Sequence, residues 1–271
     1  MGPIVIDIDP VIFHIGHFSV GWYGVSIAVA IVAAFSLGLR EARRKGIPED
    51  EIYSMGLWAV PAGLIGARLL HVIDKWSYYM ANPLAALAIQ DGGLAILGAI
   101  LGGSIAGFGY ARRRGLSLGR VADAAAPALI LGQAIGRIGC TINGDAVGAP
   151  TDLPWGFVYI NPGAMAPSLG QAYHPTQVYE MAWDLLVLGL LWWARGRIKV
   201  DGLLFLIYLS LYSAGKFTIS FWRQEAPFLF GLQEAQVVAL ATIAFAVAMA
   251  VSLLSRSNRN ERRKLVYSGT K

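Results

Sequence analysis

Seven ionisable side chains stand inside stretches that are otherwise apolar: Arg68, His71, Asp123, Arg137, Glu180, Asp184 and Lys216. Arg223 closes the stretch that holds Lys216. Charge at membrane depth is costly, roughly 2.5–3.5 kcal/mol for a central arginine, so each such residue is a candidate for function. Arg68, Arg137, Lys216 and Arg223 collect, with Glu180, near one end of their segments. A guanidinium presents a planar fork that matches a phosphate, so a cationic pocket of this kind suits an anionic lipid headgroup. The ordinary alternative is internal pairing with Glu180 and Asp184, which stand four apart and so share one helix face. Asp123 lies near the start of its segment, where a carboxylate suits the positive end of a helix.

Arg137 has unusual neighbours. Gly132, Gly136, Gly139 and Gly144 frame it and Asn143, and Gly148 follows. Glycine permits close approach of backbone and positive φ, so a headgroup can reach the main chain beside the arginine. The same spacing also serves as a helix-packing seam. Cys140, the only cysteine, excludes an intrachain disulfide, and beside packed glycines it reads as a small apolar filler. No metal-ligand spacing is present, and no cofactor or metal is expected.

The elements that carry these residues are membrane segments. Of 271 residues, 56% are hydrophobic and only 14% charged, far below the usual quarter for a soluble domain. That balance excludes most soluble classes, disorder and coiled coils. Seven segments approach the ~20 apolar residues needed to cross a bilayer: 18–39, 52–73, 93–111, 121–138, 176–194, 202–222 and 235–255. The first is too long, and too poor in preceding basic residues, for a cleaved signal peptide. Basic runs follow alternate segments: Arg40 to Lys45, Arg112 to Arg120, Arg195 to Lys199, and a tail holding Arg256, Arg259, Arg262, Arg263 and Lys264. The other connections are nearly free of them, which places the N-terminus outside and the C-terminus in the cytoplasm. These runs are orientation determinants, not nucleic-acid sites. The expected architecture is all-α: one integral-membrane domain over 1–271, a bundle of about seven transmembrane helices. An outer loop spans about 143–175, with an ordered piece near Trp155 to Tyr159, and an interfacial segment runs from Asp74 to Asp91.

Gly136-Arg137-Ile138-Gly139, followed by Asn143-Gly144-Asp145 and Gly148, resembles the central motif of the bacterial prolipoprotein diacylglyceryl transferases. Further pieces resemble that family in the same order: Trp22-Tyr23-Gly24, Gly66-Ala67-Arg68, Asp91-Gly92-Gly93-Leu94, Pro150 to Trp155, and His174-Pro175-Thr176-Gln177-Val178-Tyr179-Glu180. The resemblance implies a seven-span enzyme of the bacterial inner membrane. It moves the diacylglyceryl group of phosphatidylglycerol to the lipobox cysteine of a prolipoprotein, forming a thioether and releasing glycerol phosphate, the first step of lipoprotein maturation. It implies Arg137 as a phosphatidylglycerol-binding and catalytic residue, Tyr23 and Gly148 as required positions, and Arg68 and Arg223 as further arginines. Lys216 stands where the family has arginine, and is expected to aid catalysis. Asn143 and Gly144 are expected at the headgroup or bracing the loop, with His174 and Glu180 in support. Leu97 replaces a frequent histidine, Cys140 a frequent asparagine and Ser220 a glutamate. Two other readings use the same residues: a transporter-like or lipid-binding membrane protein, and a paralogue of altered activity.

Overall fold

The computed structural model describes residues 2–16, 18–88, 93 and 95–268, without the side chains of 15, 18, 96 and 260–268. Asp91, Gly92 and Leu94 of the family-like motif lie outside the described residues, as do the side chains of Arg262, Arg263 and Lys264. The chain is mostly helical. Its helices are α1 (Trp22–Arg44), α2 (Glu49–Asp74), α3 (Trp76–Ala81), α4 (Ile96–Arg113), α5 (Leu118–Asn143), α6 (Thr176–Ala194), α7 (Leu203–Ile219) and α8 (Glu234–Ser268). Among the described residues, five stretches are long and apolar enough to cross a membrane: α1, α2, α5, Leu203–Trp222 and the part of α8 to Arg259. The other two expected spans form α4 and α6, but the polar residues they carry (Arg112 and Arg113; Gln177, Glu180 and Asp184) dilute their hydropathy.

The fold is not purely helical. Short strands add three small sheets: β1 (Ile4–Ile6), β4 (Phe157–Tyr159) and β5 (Ala172–Tyr173) in the order β1-β4-β5, the hairpin β2 (Val11–Ile15) with β3 (Phe18–Gly21), and the hairpin β6 (Pro227–Leu229) with β7 (Leu232–Gln233). This corrects the first expected span, which begins at Trp22 and not at Phe18. The Phe18–Gly21 stretch pairs with β2, and the Trp22 N–H donates to the Pro10 carbonyl at 2.9 Å. The third span likewise begins at Ile96, because Gly93 sits at φ +74° outside the helix. Contacts divide the chain, read from its sequence as one domain, into two compact units: Leu39–Ala122, and Met1–Gly38 with Asp123–Lys271.

The smaller unit rests on a glycine seam between α2 and α4. A Cβ at Gly66 or Gly98 would collide with the backbone carbonyl of the other, and one at Gly102 with that of Ala62. Only glycine lets the two backbones come so close. The segment after α2 is α3 and a 3-10 turn over Pro83–Leu87.

The larger unit is centred on α5, α6 and α7, whose buried Ala126, Ile130, Val187, Leu191, Leu204 and Tyr208 pack together. Asp123 belongs to this core and not to an interface. It is fully buried, and its carboxylate accepts the backbone N–H groups of Gly202 and Phe205 at 3.0 Å each, capping the start of α7. α1 packs on the glycine face of α5: a Cβ at Gly132 would meet Ala34 at 3.3 Å, and one at Gly139 the Tyr23 Cα at 3.1 Å.

The long connection from α5 to α6 is locked at both ends. Tyr159 on β4 is fully buried and donates to the Thr141 carbonyl at 2.7 Å, while Gln177 donates to the Tyr159 oxygen at 2.9 Å. Thr176 donates to the Ala146 carbonyl at 2.6 Å. Gly148 threads between His174 and Trp222: its N–H donates to the His174 carbonyl at 2.8 Å, and a Cβ there would stand 2.8 Å from the His174 Cβ.

Gly98→Leu should cost at least about 1–3 kcal/mol through overpacking of the α2–α4 seam. The thermal midpoint of the detergent-solubilised protein checks this, and an unchanged midpoint would contradict the seam. Tyr159→Phe should cost about 1–3 kcal/mol by stranding its buried partners, and should speed proteolysis between 144 and 175. Burial pushes the Tyr159 hydroxyl from its ordinary 10.0 up to about 12. The lock is therefore whole at neutral pH, and its contribution declines as pH rises from about 10 through about 12. Proteolysis rates across that range, in wild type and Tyr159→Phe, should converge.

Candidate active site

In the larger unit one carboxylate gathers three cations. Glu180, on the first turns of α6, is 4% exposed. It forms an ion pair with Arg137 of α5, binds the Lys216 ammonium of α7 at 2.9 and 3.0 Å, and binds the Arg223 guanidinium at 2.9 Å. A buried carboxylate in this setting needs a cation, but one suffices. Three on one carboxylate leave donors over. Arg223 also approaches Glu225 at 3.4 Å, yet its Nε is buried without an acceptor. Beyond Glu180, the hydrogen-bond partner of the Arg137 guanidinium among the described residues is the Cys140 sulfur, at 4.0 Å. Lys216 lies 6.0 Å from the centre of the Tyr212 ring, which stacks on Tyr208.

The chain positions this cluster by local chemistry. Thr176 and Gln177 fix the start of α6, so Glu180 faces the bundle one turn later. Gly215 clears room for the Trp183 indole, which donates to the Leu211 carbonyl at 2.9 Å and joins α6 to α7. Buried Ser220 donates to the Lys216 carbonyl at 2.7 Å and so ends α7 beside the cluster. Gln233 donates to the Arg223 carbonyl at 3.0 Å.

Other sequence-predicted residues stand around this centre in distinct roles. Tyr23 is 44% exposed, packs at Gly139 through its backbone, and its hydroxyl makes no hydrogen bond to a described residue. Asn143 ends α5 and braces the loop, donating to Asp145 at 3.1 Å and to the Met165 sulfur at 3.0 Å. Gly144 follows at φ +79° with the Tyr159 ring against it, a conformation and a space that suit glycine. His174 lies 3.3 Å from the Tyr179 hydroxyl, which also accepts the Trp155 indole N–H at 3.0 Å. Cys140 is buried.

Arg68 belongs to the smaller unit. Buried, it donates to the carbonyls of Ala85, Ala86, Ala88 and Gly93 at 2.5–3.1 Å, and stands 5.3 Å from the Tyr79 ring centre. That arginine ties the turn at Ala85–Ala88 to Gly93. Leu97 lines a cavity of about 460 Å³ in the same unit, with Leu70, His71, Ile73, Asp74 and Ala95. Tyr159, Gln177 and Thr176 escaped the sequence reading as functional supports. Thr176 and Gln177 carried a signal as members of the family-like motif, and Tyr159 as part of the ordered piece near Trp155, but their hydrogen bonds to one another's elements did not.

The family model for prolipoprotein diacylglyceryl transferase matches residues 10–252. Among similar proteins, a phosphatidylglycerol–prolipoprotein diacylglyceryl transferase of Dehalococcoides mccartyi is 39% identical over 258 residues, covering 95% of this chain and 98% of the relative. Proteins of the same name from Synechococcus elongatus and Clostridioides difficile are 40% and 35% identical, covering 88% and 93% of this chain and 85% and 98% of theirs. With a family match across most of its length and the motif arginine seated in a cluster of cations, this chain belongs to the prolipoprotein diacylglyceryl transferase family.

Proposed function

We propose that the chain transfers the diacylglyceryl group of phosphatidylglycerol to the cysteine thiol of a prolipoprotein lipobox, and that the Arg137, Lys216 and Arg223 cluster holds the lipid phosphate. The observation that carries the site is the sharing of Glu180 by three cations. An incoming phosphate finds charge and free donors already in place, so little reorganisation is needed. As the glyceryl C–O bond breaks, negative charge grows on the departing glycerol phosphate, and these cations stabilise it. Glu180 keeps them gathered when no lipid is bound. The family's arginine at 216 is lysine here, which keeps the charge but not the fork; Arg137 and Arg223 supply the forks.

Within this reading Tyr23, with its free hydroxyl, contacts the lipid. Asn143, Gly144, Gly148 and His174 shape the loop above it. Arg68 serves by holding the carbonyls of Ala85, Ala86, Ala88 and Gly93. All seven hydrophobic helices cross the bacterial inner membrane, with the N-terminus outside, because basic residues crowd alternate connections.

Purified protein mixed with phosphatidylglycerol and a lipobox peptide should yield peptide heavier by one diacylglyceryl group. Arg137→Ala should lower that rate by at least roughly 100- to 1,000-fold, while Glu180 keeps Lys216 and Arg223 and the fold survives. Full activity in Arg137→Ala would contradict the proposal. Lipid binding without transfer by the wild type would favour a lipid-binding protein or altered paralogue. With native Cys140 buried, single cysteines placed at Asp7 and at Arg256 should label only from outside and only from the cytoplasm, respectively.

A further inference from the structure

We infer that Asp184 is the proton acceptor for the substrate thiol, an inference that rests on the transfer reading above. Asp184 lies on α6 one turn beyond Glu180 and is 3% exposed. It lines the same tight gap between α6 and α7 as Glu180, Tyr212 and Lys216, a gap with no room for a water molecule, so the substrate must part these side chains to reach it. Its carboxylate makes no hydrogen bond and no ion pair with any described residue, although three cations crowd onto its neighbour Glu180. The charges of Arg137 and Lys216 still act on it from the cluster, so it is a carboxylate held beside the cations without being hydrogen-bonded to them, and its oxygens are available to a substrate group. No other carboxylate lines this gap besides Glu180, which the cations occupy.

Its position fits the reaction. α6 runs from the loop end at Thr176 into an apolar stretch from Leu185. Four residues along a helix is about 6 Å, so Asp184 lies that much deeper than the phosphate-holding cluster. A lipid seated with its phosphate at Arg137 and its acyl chains in the apolar layer places its reacting glyceryl carbon just below the phosphate. In-line displacement brings the nucleophile to the face of that carbon opposite the leaving oxygen, deeper still. That is the level of Asp184. The S–H proton passes to the Asp184 carboxylate and the sulfur forms its bond to the glyceryl carbon. The C–O bond to phosphate breaks, and its electron pair leaves with glycerol phosphate. The proton then goes from Asp184 to the released phosphate or to water, restoring the carboxylate. Leu97, aliphatic where the resemblance offers a histidine, takes no part in this step.

The test uses the full-length protein in detergent and two lipobox peptides, one with cysteine and one with selenocysteine. The selenol is ionised at neutral pH and needs no acceptor. With the cysteine peptide, Asp184→Asn should lower kcat by roughly 100- to 10,000-fold, with the KM for phosphatidylglycerol within about threefold of wild type. With the selenocysteine peptide the loss should shrink to less than about tenfold. Unchanged kcat, an equal loss with both peptides, or a loss carried by KM would each overturn the inference while leaving the transfer reading intact. If Asp184→Asn does not fold, Asp184→Glu should slow the cysteine peptide more than the selenocysteine peptide, and an unaltered ratio would overturn the inference. A wild type that transfers to neither peptide would overturn the transfer reading itself.

Discussion

The structure turns on one carboxylate shared by three cations inside an apolar bundle. Glu180 reaches Arg137, Lys216 and Arg223 from three different elements, α5, α7 and the turn after it. No one of these charges could stand alone in such surroundings, because an unpaired buried charge is strongly destabilising. Together they form a centre that is positive overall at its core yet stable when empty. The surrounding structure then has to hold α5, α6 and α7 at that point and, on the proposed function, to let an anionic lipid reach it.

Small residues and buried backbone bonds hold the helices there. The glycine face of α5 lets α1 lie close, and Gly215 lets Trp183 bind α7. Asp123 caps α7 from within α5, fixing the far end of the helix that delivers Lys216. The loop lock of Tyr159, Gln177 and Thr176 fixes where α6 begins, and hence where Glu180 points. Gly144 and Gly148 let the connection from α5 to α6 fold tightly, against the Tyr159 ring and against Trp222, Thr176 and His174.

Much of this was legible in the sequence, for physical reasons. Hydropathy and basic runs locate helices because the bilayer imposes a length and a charge asymmetry. Charged residues inside apolar segments announce a site because they are costly to place there. What was not legible depends on partners without a sequence signature. Phe18–Gly21 is as apolar as the helix that follows it, so nothing marks it as a strand until Pro10 supplies an acceptor. Arg68 reads as a phosphate ligand, yet it also binds four backbone carbonyls, which every residue carries. Asp123 reads as a helix-start residue, and its service to a distant helix appears only once α5 and α7 are packed. The isolation of Asp184 is equally invisible, since its spacing from Glu180 suggests a shared ion pair.

The central claim is that the cluster on Glu180 is the phosphate site, and a structure of the protein bound to phosphatidylglycerol tests it most directly. The account predicts lipid phosphate oxygens within hydrogen-bond reach of the Arg137 and Arg223 guanidinium groups and the Lys216 ammonium, with the acyl chains running past Asp184. A phosphate bound elsewhere, with the three cations still paired only to Glu180 and Glu225, would contradict it.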